Sequence, residues 1–177
     1  KGGQCYAGAN NAETPCDFTY TGIKNDTTRN MIADAKWSLL GWLDEGVNVY
    51  ADQSYKLENT SGTVYTGNKT SWTGKIALPY PSDYAYSAYL GKCTSTLGEY
   101  SNCSSWMKTM FNSKTIALLT PIVSSSFVFH VAGGCLDLGE PYAALDSEIF
   151  PTLYLNTNVS IKTGSGTLNS PYQLSVG

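Results

Sequence analysis

The chain has 177 residues, a formal net charge of −3, 14% charged residues and 13 tyrosines. Arg29 is the single arginine and no basic run occurs, which argues against a nucleic-acid partner and against a membrane-surface patch. The longest apolar run, Thr115–Val123, is too short to span a bilayer and contains Pro121.

The first 24 residues are polar and Gly-rich, and read as an arm ahead of one globular domain over 25–177. The abrupt start at Lys1 suggests a processed or trimmed N-terminus. Cys5 and Cys16 lie close together in this arm, and Cys93 and Cys103 form a second close pair further on. Neither pair has the C-x-x-C spacing of a zinc or redox site, so two local disulfides are expected, and with them an oxidising compartment. Cys135 is left over.

The segment "NDTTRNMIADAKWSLLGW" follows the arm. Asp26 can cap a helix, and Met31, Ala35, Leu39 and Trp42 recur at three- and four-residue spacing. This predicts the principal helix over about 27–40. "VNVYADQSYKLE" and "TVYTGN" read as β-rich, with "NTSG" as a turn between them. "KIAL" reads as a strand stopped by Pro79 and Pro81, and "SDYAYSAYL" as a short helix capped by Ser82. "CTSTLGEYSNC" is a disulfide-closed loop and "SSWMKTMF" a helical turn. "TIALLTP" and "SSFVFHVAGGCL" are strands, and "EPYAALDSEIF" is a loop. The closing "FPTLYLNTNVSIKTGSGTLNSPYQLSVG" reads as strands around a turn in which Gly164 and Gly166 supply positive φ. One principal N-terminal helix packed on short antiparallel strands, with long loops, is an α+β fold.

Several of these segments stand in a set order: "NDTTRNMIADAKW", "TSWTGKIALPYPSDYAY", "NCSSWM", "TIALLTP", "VFHVAGG" and the closing module. Over roughly residues 25–174 they resemble the extracellular domains of Firmicute surface and pilin-like (pseudopilin) proteins. The resemblance implies a C-type-lectin-like or pilin-head-like scaffold, an extracellular or cell-surface location, and self-association with like subunits. Phe150 stands where the family has an arginine, and "CLDLGEPYAALDSE" replaces its Asn-rich segment.

Candidate chemistry is sparse. His130, the single histidine, sits in an apolar strand with no nucleophile or carboxylate nearby in sequence, and reads as a core or strand-surface residue. No nucleophile elbow, P-loop or dinucleotide fingerprint occurs, so no enzyme is expected. Asp137, Glu140, Asp146 and Glu148 form the densest acid cluster, either a calcium site or a solvated loop; no other cofactor is indicated. Tyr84, Tyr86 and Tyr89 crowd one segment, as core or as an exposed platform for a host or cell-surface glycan or protein. The expected function is a non-enzymatic surface or pilus-like domain, structural or adhesive. The alternative is a lectin-like carbohydrate-binding module that uses the Tyr-rich loops, with or without calcium.

Overall fold

The computed structural model describes residues 26–42, 48–64, 66–111, 114–122, 128–139, 149–167 and 169–177. The predicted arm, with Cys5 and Cys16, lies outside the described residues. The chain is α+β, with short helices and small sheets. It groups into two compact units. One unit holds the described residues up to Ala35 together with Gly74–Ile76 and Leu153–Gly177. The other holds Lys36–Thr73 and Ala77–Thr152.

In the first unit, α1 (Asp26–Met31) is a single short helix. The backbone beyond it turns to strand-like bonding. Ala33 N–H donates to the Tyr154 carbonyl at 2.9 Å, and Asn156 N–H donates to the Met31 carbonyl at 2.8 Å. The Asn156 side chain adds a bond to the Asn30 carbonyl at 2.7 Å. Lys75 donates to the Ile32 carbonyl at 2.6 Å and pairs with Asp34 at 3.4 Å. Two strands, β8 (Val159–Thr163) and β9 (Gln173–Val176), close the chain as an antiparallel hairpin. Gly164 and Gly166 have φ of 98° and 75°, as the turn between them requires.

The principal helix expected over 27–40 is not formed. After α1, residues Ala35–Ser38 are strand β1, in which Lys36 is exposed and Trp37 is buried. The three-four spacing is present, but the helix ends at Met31, and two features override the spacing beyond it. The backbone of 31–33 is bonded to 154–156. Strand β1 pairs with β2 (Ser71–Gly74). Two further two-residue strands, β3 (Ile76–Ala77) and β7 (Thr152–Leu153), pair with each other.

The second unit is built on an antiparallel three-stranded sheet in the order β4 (Ile116–Pro121), β5 (Val128–Ala132), β6 (Cys135–Gly139). Gly133 and Gly134 turn β5 into β6 with φ of 57° and 83°. One face buries Ile116, Leu118, Phe129, Val131 and Leu136. Trp42 stacks on Phe129 with ring centroids 4.4 Å apart.

Short helical pieces complete this core. They are α2 (Ala51–Lys56), α3 (Pro81–Tyr86), a 3₁₀ turn (Leu97–Asn102) and α4 (Trp106–Phe111). The 3₁₀ turn packs on β6, and α2 packs on α3. They contribute Tyr84, Ala85, Leu97, Tyr100 and Met107 to the core. The segment expected to be β-rich before "NTSG" is therefore helical, and α2 runs on into a wider π turn at Leu57–Ser61. Asn59 and Thr60 return their side chains to the Tyr55 and Lys56 carbonyls at 2.9 and 3.0 Å. Tyr80, not Ser82, precedes α3, and the Asp83 carboxylate accepts the Tyr80 N–H at 2.9 Å. Pro81 takes the first helical position, where a missing N–H costs nothing.

Candidate functional site

Cys93 and Cys103 are joined by a disulfide with Cα atoms 5.4 Å apart, as the sequence predicts. The loop that it closes is packed rather than loose. Leu97 and Tyr100, inside the loop, are buried in the core. The Tyr100 hydroxyl donates to the Ala85 carbonyl at 2.9 Å, and Leu97 N–H donates to the Val49 carbonyl at 2.9 Å. The second bond pins the approach to α2.

These constraints shape an open groove of about 310 Å³, lined by Tyr50, Asp52, Tyr86, Leu90, Thr94 and Ser95, with Ala51, Cys93 and Tyr100 beneath. Tyr50 and Tyr86 are each 47% exposed. Tyr50 precedes α2, where its N–H donates to the Gln53 side chain at 2.9 Å and its carbonyl accepts the Ser54 N–H at 2.9 Å. Tyr86 ends α3, and its ring meets Tyr55 edge-on with centroids 6.4 Å apart. Burial raises the Tyr100 hydroxyl's pKa, with Tyr86 adding to the effect.

The three tyrosines of the expected platform separate here. Tyr84 is a core residue: it is 1% exposed, its ring lies 5.9 Å from that of Tyr100, and its hydroxyl donates to the Gly134 carbonyl at 2.8 Å. Burial, with Cys135 and Tyr100 adding, pushes its pKa up to about 12. Tyr84 is therefore withdrawn as a ligand contact. On the helix Tyr86, two positions on, points elsewhere and is exposed, and Tyr89, beyond the end of α3, is exposed as well. Tyr86 faces the groove and Tyr89 is not among its lining residues.

The acid cluster is described only at Asp137, which is exposed on β6 opposite His130. Glu140, Asp146 and Glu148 lie outside the described residues. Among the described residues no group of three or more His, Cys, Asp or Glu side chains could hold a metal ion. His130 is buried in β5 and its Nδ1 has no hydrogen-bond partner. Burial lowers its pKa, against the opposing pull of Asp137.

Two features escaped the sequence reading. Tyr50 and Asp52 were hidden because "VNVYADQSYKLE" passes for a strand. Glu58 is fully buried at the start of the π turn. Its Oε1 accepts the Ser82 N–H at 3.0 Å, its Oε2 has no partner, and the Ser38 hydroxyl donates to its backbone carbonyl. The signal for both was Ala51, Ser54 and Glu58 at helical spacing, small or polar letters in place of the usual apolar ones.

No helix among the described residues is long and apolar enough to cross a membrane. No family model matches the chain, and no curated protein or solved structure is significantly similar to it.

Proposed function

We propose that the chain is a non-enzymatic, extracellular domain of a bacterial surface or pilus-like protein, with a structural and adhesive role. The observation that carries this reading is an exposed aromatic surface on a stapled support. Tyr50, Tyr55, Tyr86, Tyr89 and Leu90 are all exposed on a unit closed by the Cys93–Cys103 bridge. Aromatic side chains in such positions are the usual anchors of a binding surface, and they lose little entropy when already held. The disulfide favours an oxidising location. The ordered motifs over 25–174 supply the pilin-like and lectin-like part of the reading, including self-association with like subunits.

A second reading, a lectin-like module, is favoured by the groove that Tyr50 and Tyr86 line. In its calcium-dependent form Asp137, Glu140, Asp146 and Glu148 would supply the oxygen ligands.

Location is tested on cells that express the full-length gene product. Antibody against this chain is expected to label intact cells, and shearing is expected to release the protein with filaments or wall material. Recovery only from the cytoplasm of lysed cells would overturn the proposal.

A further inference from the structure

We infer that the groove lined by Tyr50, Asp52 and Tyr86 binds a neutral carbohydrate, with a pyranose ring laid against a tyrosine face and Asp52 accepting bonds from its hydroxyls. This deepens the adhesive reading and rests on it.

The lining selects among ligand classes. Asp52 is its one charged side chain, and no lysine or arginine is present to neutralise a phosphate, sulfate or carboxylate. An anionic ligand would meet only repulsion. A purely apolar ligand would make no use of the Asp52 carboxylate or of the hydroxyls of Thr94 and Ser95. An organic ammonium would suit two rings and a carboxylate, but cation–π attraction is strong only where the cation is stripped of water. Here both rings are 47% exposed and Asp52 and Thr94 are exposed as well. A sugar makes the better match. Its C–H face is apolar and stacks on a tyrosine, while its hydroxyls engage a carboxylate and side-chain hydroxyls and stay wet on the open side. The volume of about 310 Å³ is at the lower end for small-molecule sites, which suits one or two rings.

The groove is also set before any ligand arrives. The backbone of Tyr50 is held by its N–H bond to the Gln53 side chain, Tyr86 leans edge-on against Tyr55, and the floor carries Cys93 of the disulfide. Tyr100 uses its hydroxyl on the Ala85 carbonyl, so it acts in the floor as a ring and not as a donor. The backbone and floor are thus in place beforehand, which limits the ordering cost of binding to the side chains of the rim.

The test is saturation-transfer NMR on the purified full chain against glucose, galactose, mannose, N-acetylglucosamine, maltose, lactose and chitobiose, with titration of whichever sugar responds. Saturable binding of at least one is expected, unchanged by EDTA because no calcium is needed. Tyr50→Ala and Tyr86→Ala should each weaken it about tenfold, whereas Tyr86→Phe, which keeps the ring, should stay close to wild type. Trp106→Ala, exposed and outside the groove, should leave binding unchanged. Absence of binding across the panel would overturn the inference. So would affinity that survives Tyr50→Ala and Tyr86→Ala, is abolished by EDTA, or belongs to tetramethylammonium in place of every sugar. Sugar binding on the purified chain and surface labelling on cells fail independently, so the two proposals are separable.

Discussion

Glu58 accepts the backbone N–H of Ser82 at 3.0 Å from a fully buried position, joining the π turn after α2 to the first turn of α3. The other carboxyl oxygen is buried with no partner. Burial raises its pKa to about 8, with Asp83 on α3 adding to the effect and the Ser82 bonds opposing it. The group is therefore neutral in the folded protein at pH 7, while in the unfolded chain it ionises near 4.5. Between those values the folded state binds more protons, so stability falls as pH rises from about 4.5 to about 8 and levels off above. Asp83, also raised by burial, adds a loss in the same direction. Glu58→Gln keeps an acceptor for Ser82 and cannot ionise. It is expected to remove most of the decline and to raise the urea midpoint at pH 8, on the order of a few kcal/mol in stability. A decline of equal slope in wild type and variant would show that Glu58 is not its source.

His130 gives the opposite limb. Its pKa is lowered, chiefly by burial, so the unfolded chain takes up a proton at a higher pH than the folded one. Stability from this group is complete above about 6.5 and is lost as pH falls through the lowered folded value. In the Glu58→Gln background, where most of the other trend is removed, the thermal midpoint should drop on acidification below pH 6. NMR titration of the imidazole should give a pKa below the ordinary histidine value. A pKa above 6.5 would mean that the Asp137 attraction outweighs burial.

Tyr84 separates packing from recognition. Tyr84→Phe leaves the Gly134 carbonyl without its donor and should cost about 1–2 kcal/mol in chemical denaturation. Tyr84→Ala should cost about 3–5 kcal/mol by opening a cavity beside Tyr100. Tyr84→Phe, which keeps the ring against Tyr100, should leave the sugar affinity of the folded protein unchanged. A selective loss of affinity in Tyr84→Phe at unchanged stability would return this residue to the binding surface.

What the sequence made legible follows from how each segment is stabilised. The strands at Ile116–Pro121 and Val128–Ala132 and the Gly164–Gly166 turn are announced by their own residues: apolar runs where both sides are buried, and glycines where φ is positive. The Cys93–Cys103 bridge matches the expectation from two cysteines close together in a polar, turn-rich stretch. The segment from Asp26 to Ser38 misled because its apolar spacing is helical throughout, while beyond Met31 its backbone is bonded to distant residues, 31–33 to 154–156 and Ala35–Ser38 to Ser71–Gly74. Such partners leave no local trace. The groove was half visible: Tyr86 stood out in a tyrosine-rich run, but Tyr50 and Asp52 depend on a helix whose inward face is Ala51, Ser54 and Glu58.

Gly41 is a close-approach position. Its N–H and carbonyl both bond Thr63, at 2.8 and 3.1 Å, and any Cβ there would run into the Pro121 carbonyl. Gly41→Ala must push β4 away from the 41–42 bridge region, where Trp42 meets Ile122. A loss of about 1–3 kcal/mol in urea denaturation is expected, with a change in the near-ultraviolet signal of Trp42. An unchanged midpoint would mean that the two segments can separate freely.

Reduction of the Cys93–Cys103 bridge should weaken the protein out of proportion to the size of its loop. The bond closes only ten positions of sequence, for which chain entropy alone gives about 2–3 kcal/mol. The loop, however, carries Leu97 and Tyr100, at 0% and 1% exposure, into the core and forms the floor of the groove. Releasing it loosens packing around Tyr84 and Ala85 as well as the support beneath Tyr86. Cys93→Ala with Cys103→Ala should therefore lower the unfolding free energy read from urea denaturation by at least the entropic amount. It should also weaken sugar binding severalfold, under conditions where circular dichroism still shows a folded chain. Full affinity in a destabilised but folded variant would mean that the groove walls stand without their floor.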